Sequence, residues 1–473
     1  MSNVLRNIPS VSELLESPPL KSLVNRFNRN VVVSGVRRFL DEARMQVQSA
    51  AASVHVPLPS ELAQRIADWI AQDQQSSLTP VVNATGIILH AQLGGAPLAE
   101  EAIQAVAAAS RGYTNLEINL ATGERCPRVA GVEELLTQLT ASEAATVVNN
   151  HAAATVLILA ALGTGRELIV SRGQLLETDD EYRLPQIISA SGAILREVGT
   201  TNVTRINDYA AALTPATAAI LHVHASNFDF AGHAAQTSLA DLVTLGRKHN
   251  VPVIDDLGRG GLVDLSRYGI LGEPLAATSI RTGADLVLVS GDKLLGGPTC
   301  GIILGRRPLI EQIAAHPLMR AFRLDKLTLA ALSATLRLYQ DPELAERSIP
   351  LLSLLATPLE NLRQRAERIA PQIAATGVAT VEILPGQTPI AGESLPHQIL
   401  PTICLALTPC SGTVDQLATA LRTGTPAVIG RIHDGRLYLD LRSVPPRDDL
   451  QLVAAFESRK VAHSGKVGHS GPE

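Results

Sequence analysis

Aromatic side chains are scarce in this chain of 473 residues: they make up 3% of it, with a single tryptophan, Trp69. Stacked aromatic platforms of the kind that hold unpaired nucleobases are not expected, and the core must be aliphatic. Cysteine is as rare. Cys126, Cys300, Cys404 and Cys410 fall in no metal-ligand spacing, and so few thiols in so long a chain fit a reducing, cytoplasmic setting. No apolar run approaches the roughly 20 residues that a membrane span needs. The opening MSNVLRNIPSV lacks the apolar core of a signal peptide. A whole-surface polyanion binder is disfavoured too, because the formal net charge is -5.

What is present is the composition of a well-packed globular protein, 46% hydrophobic and 18% charged. The length predicts about two to three domains. Charge is unevenly spread: residues 1–48 carry seven basic side chains against four acidic ones, so this segment is +3 and the remainder -8. On charge alone a solvated helical face is the favoured reading, with nucleic-acid contact the other. Residues 11–72 read as helices, with Leu14, Leu15, Leu20, Leu23 and Val24, then Val36, Phe39 and Leu40, at helical spacing. Ser60 is a fair N-cap for the helix containing Trp69. The spacing predicts a helical N-terminal domain over 1–75, with AQDQQSS as linker.

From about residue 80 the texture changes to short β-branched runs, Thr146–Val148, Glu167–Val170, Ala193–Val198, Ala219–Val223, Pro252–Ile254, Leu286–Val289 and Gly301–Leu304. Helical stretches separate most of them. This alternation predicts an α/β domain over 80–335, a mainly parallel sheet with helices on both faces. A small α/β domain over 340–460 and a frayed tail over 461–473 are expected to follow. Ligands of such sheets bind beyond the carboxyl ends of the strands.

Three stretches carry chemistry at such ends. In ADLVLVSGDKLLGGPTCGIILG, residues 284–305, Lys293 follows a buried strand and precedes a Gly-Gly-Pro turn. Burial disfavours its ammonium form, which suits Schiff-base chemistry. In PVIDDLGRGG, residues 252–261, an aspartate ending a strand can hold a protonated pyridine nitrogen. Asp256 is preferred there, with Asp255 as the alternative. In TVVNNHAAATVLIL, residues 146–159, a strand runs through Asn149, Asn150 and His151 into a helix of small residues. A helix N-terminus of that kind is a phosphate site. Phosphate turn, aspartate and lysine in this order resemble the layout of fold-type I pyridoxal-phosphate enzymes.

The resemblance sharpens over longer stretches. NATGIILH (83–90), NLEINLATGERCPR (115–128), VVNNHAAA (147–154), VGTTN (198–202), VHASN (223–227), SGDKLLGGP (290–298), HPLMRAFRLDKLTLAAL (316–332) and VIGRIHDGRLYLDLR (428–442) closely resemble the bacterial L-seryl-tRNA(Sec) selenium transferases, the selenocysteine synthase family. The match runs over residues 4–455, and its N-terminal part resembles the tRNA-binding domain of that family. The resemblance implies that Lys293 holds pyridoxal 5'-phosphate and removes the α-proton of tRNA-linked serine. Asn149, Asn150, His151, Ala152, Thr201, Asn202 and Ser290 would surround the cofactor or its phosphate. Arg320 and Arg323 would bind selenophosphate, Asp292 would support Lys293, and Arg442 is read as a structural ion-pair partner, with binding of the donor's phosphate as the alternative. The implied reaction makes selenocysteinyl-tRNA(Sec) by way of a dehydroalanyl-tRNA. The implied partners are serine-charged tRNA(Sec), selenophosphate and further copies of the chain, in a dimer-based homo-oligomer arranged as a ring of dimers.

Several positions depart from the family pattern. Gly95 and Val203 stand where arginines are expected, His151 replaces an asparagine, Asp179 and Asp180 replace a glycine pair, and Arg259 replaces a serine. Arg259 is the candidate to restore the charge missing at 95. His151 and His224 each have a catalytic and a structural reading. The rival functions are a related enzyme acting on a small amino acid or amino sugar, and a tRNA-binding protein without activity.

Overall fold

The computed structural model describes residues 9–49, 58–74, 78–175, 177, 182–224, 233–391 and 398–464. The chain divides into two compact units, Met1–Pro80 and Val81–Glu473. Asp179 and Asp180 lie outside the described residues.

The first unit is helical. Helices Val11–Leu15, Pro18–Arg26, Arg29–Ser49 and Pro59–Asp73 bury one aliphatic cluster that includes Leu14, Leu20, Val32, Val36, Leu40, Ile66 and Ile70. The last helix begins at Pro59, one residue before the expected cap, so Ser60 lies inside its first turn. Proline suits the first helical position because the missing N–H is one the helix does not use. Trp69 sits edge-on to Phe39, with ring centroids 5.8 Å apart, and under the Arg38 guanidinium at 4.6 Å. The one tryptophan thus packs within its own unit.

In the second unit, β1 (Val81–Asn83) pairs in parallel with β11 (Ala427–Ile429). A seven-stranded sheet is built from β2 (Ala144–Val148), β3 (Glu167–Ser171), β4 (Ile194–Val198), β5 (Thr217–Val223), β6 (Val253–Asp256), β7 (Leu286–Ser290) and β8 (Gly301–Gly305). Its order is β2-β8-β7-β6-β5-β3-β4. Only β8 runs against the others, so the other six strands place their carboxyl ends along one edge. Every residue of β2, β6, β7 and β8 is buried. Such strands read as unbroken apolar runs because helices cover both faces. Each of the seven expected runs overlaps one of these strands, with Ala193 and Pro252 falling one residue before β4 and β6.

A four-stranded antiparallel sheet follows, ordered β12-β13-β10-β9, from β9 (Ala379–Pro389), β10 (Ile399–Pro409), β12 (Arg431–His433) and β13 (Arg436–Asp440). The helix Leu359–Ala374 packs on it. Arg365, buried, donates to Asp449 at 2.6 and 3.2 Å and to the Val444 carbonyl at 2.8 Å. The NATG segment is tied to this layer: the Asp440 N–H donates to the Ala84 carbonyl, and the Gly86 N–H to the Ser443 hydroxyl, each at 2.9 Å.

Candidate active site at the carboxyl edge of the large sheet

Three adjoining chain segments end at the same edge of the sheet. β7 stops at Ser290, which is buried and whose N–H donates to the Gly258 carbonyl at 2.9 Å. Asp292 and Lys293 follow in a tight turn closed by Gly296 N–H donating to the Lys293 carbonyl at 2.9 Å. The Thr299 hydroxyl donates to Asp292 at 2.8 Å. Lys293 itself is half-buried, and no hydrogen bond or ion pair among the described residues holds its ammonium. The amine is therefore available to a ligand.

β6 ends on the two aspartates, and strand alternation sends them to opposite faces. Asp255 meets His222 Nδ1 at 2.6 Å. Asp256, 3% exposed, accepts the Gly258 N–H at 2.9 Å and lies 2.9 Å from His151 Nε2. The groups acting on the His151 ring are Asp256, Asp292 and Lys293. Asp256 therefore shares its face with the lysine turn, and Asp255 is engaged elsewhere.

β2 leads into the helix His151–Gly163, capped by the Asn150 side chain, which accepts the Ala153 N–H at 2.8 Å. The first-turn N–H groups of His151 and Ala152 are not consumed by the helix. Gly301 of β8 lies directly beneath: a Cβ there would stand 2.4 Å from the Asn150 carbonyl oxygen. Glycine at 301 is what lets this turn settle on the sheet.

The segment carrying Arg320 and Arg323 is joined to the same turn. The Asn149 N–H donates to the Phe322 carbonyl at 2.9 Å, and Val148 bridges to Arg323. Both arginines are exposed, and neither has a carboxylate partner among the described residues. Arg128 braces them: it donates to the Leu324 carbonyl at 2.9 Å and twice to Glu117. That anchor, like Tyr182, whose phenol burial and Asp256 push upward, was not singled out from the sequence. Each depends on residues distant in sequence meeting in space.

Thr201 and Asn202 are not brought to this cluster. They follow β4 at the far side of the sheet, four strands or about 19 Å from β7, where the Asn202 amide donates to the His233 carbonyl at 2.7 Å. Of the departing positions, Gly95 is at the site, since a Cβ there would come 3.3 Å from the Asp292 carbonyl oxygen. Val203 is buried and bridges to Ala235. Arg259 is buried near Glu273, whose carboxyl burial raises and Arg259 lowers, with burial the stronger. Arg442, buried, donates at 2.6 Å to the carbonyls of both Thr357 and Pro401, where an ion pair was expected.

Comparison with known proteins bears on this arrangement. Residues 81–445 match the family described as L-seryl-tRNA selenium transferase, and residues 5–44 match the selenocysteine synthase N-terminal family. The L-seryl-tRNA(Sec) selenium transferase of Moorella thermoacetica is 44% identical over 96% of both chains. That of Desulfomicrobium baculatum is 42% identical over 97% of this chain and 99% of its own. The chain belongs to the L-seryl-tRNA selenium transferase family. Among solved structures, a D-glucosaminate-6-phosphate ammonia-lyase shares the fold, with a TM-score of 0.54 at 21% identity over 82% of this chain and 97% of its own.

Membership in the selenium transferase family makes the chain a pyridoxal-phosphate enzyme. The residues present fit that group. An unengaged amine, a buried carboxylate on the same face and an open helix N-terminus supply the donor set. The buried His151 Nδ1, without a partner among the described residues, leaves one more polar atom at the site for a ligand.

Proposed function

We propose that this chain converts L-seryl-tRNA(Sec) to L-selenocysteinyl-tRNA(Sec) with selenophosphate as selenium donor. The observation that carries this reading is the 44% identity over 96% of the chain, coinciding with the lysine, aspartate and helix N-terminus at one sheet edge. Pyridoxal phosphate, when bound, supplies the electron sink that makes the α-proton of serine acidic. Lys293 would hold the cofactor, and its Nζ would take up that proton. Asp256 holds the ring nitrogen, and the first turn after Asn150 holds the phosphate. Asp292, fixed by Thr299, keeps a negative charge beside the lysine turn.

Arg320 and Arg323 suit selenophosphate because a guanidinium fork matches phosphate oxygens. The substrate carries an ester where a free amino acid has a carboxylate, so the site has no carboxylate for these arginines to hold. The helical N-terminal unit, whose first 48 residues carry a net charge of +3, is assigned to the tRNA. Exposed Tyr113, Ile118 and Leu120, and the separation of Thr201 and Asn202 from Lys293, support a dimer-based homo-oligomer in which the partner supplies that stretch.

The test is product formation by the purified full-length chain. Selenocysteinyl-tRNA is expected from seryl-tRNA(Sec) and selenophosphate, and no turnover of free serine. Turnover of a free amino acid or amino sugar, with none of the charged tRNA, would overturn the reading.

A further inference from the structure

His151 carries more polar geometry than the first residue of a phosphate-binding turn requires. Its Nε2 lies 2.9 Å from Asp256 Oδ1, and that carboxylate is almost wholly buried. Its Nδ1 is buried with no partner among the described residues. Two sequence-distant elements act on the ring, the end of β6 with Asp256 and the turn after β7 with Asp292 and Lys293, while the segment containing Tyr182 reaches the backbone of the His151 turn. The Tyr182 hydroxyl reaches Thr155 Oγ1 at 3.5 Å, and Thr155 donates to the His151 carbonyl at 3.1 Å. Burial opposes a charge on the imidazole. The Asp256 carboxylate, by charge and hydrogen bond, and that of Asp292 outweigh burial and the Lys293 ammonium, so the imidazole pKa is raised above its ordinary value.

A carboxylate already accepting from a cationic imidazole is a weaker proton acceptor than one left alone. Position 151 therefore reaches the chemistry at two removes: through Asp256 to the ring nitrogen, and through space to Lys293. We propose that His151 is a positioning residue: its Nε2 fixes the Asp256 carboxylate toward the cofactor's ring nitrogen, and its positive charge lowers the proton affinity of that nitrogen and of Lys293. The asparagine that the family resemblance places here carries no such charge. The remaining ring donor, Nδ1–H, faces no acceptor among the described residues and is left to whatever occupies the site. The inference rests on the cofactor reading above.

The experiment is a pH titration of the bound cofactor's visible band in the holoenzyme, for wild type, His151→Asn and His151→Gln. Removing one adjacent positive charge is expected to move the midpoint upward by about one pH unit in both variants, with the cofactor still bound. A band present in all three with an unmoved midpoint overturns the role of His151 and leaves the cofactor reading standing. A wild type with no visible band defeats the cofactor reading and this inference with it. Should the variants fail to take up cofactor, the nitrogen NMR signals of His151 in the wild-type holoenzyme decide: an imidazolium at neutral pH supports the proposal, and a neutral ring overturns it.

Discussion

Gly301→Ala tests whether the phosphate turn depends on close packing against the sheet. The added Cβ would stand 2.4 Å from the Asn150 oxygen and 2.8 Å from both the Asn150 carbonyl carbon and the Ala154 Cβ. Ordinary contact begins near 3.4 Å, so the turn must withdraw by about 1 Å. The obstacle is backbone at a helix start, which cannot rotate away as a side chain does. Overpacking of this kind costs roughly 1–3 kcal/mol. A phosphate held by N–H groups at hydrogen-bond distance loses about 1.5–3 kcal/mol when one charged contact is broken. Cofactor affinity should therefore fall about 10- to 100-fold, together with a lowered melting temperature. Gly131→Ala, in the helix Ala130–Thr140 with open space around it, is the control and should be neutral or stabilising by about 0.5–1 kcal/mol. The assay is a cofactor titration by absorbance beside a thermal melt. Unchanged affinity and melting temperature in Gly301→Ala would refute the packing argument.

Arg320→Ala and Arg323→Ala should each raise the selenophosphate concentration needed for half-maximal product formation by about 10-fold or more, with the cofactor spectrum unaltered. Steady-state titration of the donor checks this. Asp449→Ala strands the buried Arg365 guanidinium, which keeps only carbonyl acceptors at Leu441 and Val444. A loss of about 3 kcal/mol follows, read by denaturant unfolding, with Arg365→Met plus Asp449→Ala less destabilised than the single change. His151 has a folded-state pKa raised above its unfolded one. Its contribution to stability is present in full below about pH 6.5 and is lost as pH rises through the folded-state value. Stability measured across that window should flatten in His151→Asn.

Much of the frame was legible because buried parallel strands read as short apolar runs between turn residues. Leu286–Ser290 and Val253–Asp256 are of this kind, and the lysine and aspartates stand just where those runs stop. The second sheet was less legible. β9 and β10 each span eleven residues, but Pro385, Pro389 and Pro401 interrupt the runs that would mark strands of that length. Proline is tolerated there because β9 is an edge strand and Pro401 lies beyond the last rung of the β10–β13 ladder. The choice between Asp255 and Asp256 needed the phase of strand alternation relative to each covering layer, which one strand's residues do not contain. The approach of Gly95 to Asp292, and of Arg128 to Leu324, joins residues roughly 200 apart, beyond the reach of any local pattern.

The visible spectrum of the purified protein reports on whether Lys293 carries the cofactor. The wild type reconstituted with pyridoxal phosphate is predicted to show a bound-cofactor band that changes on adding seryl-tRNA(Sec) and not on adding free serine. Lys293→Ala is predicted to lack that band. A wild type with no band, or a Lys293→Ala variant with an undiminished one, would contradict the claim.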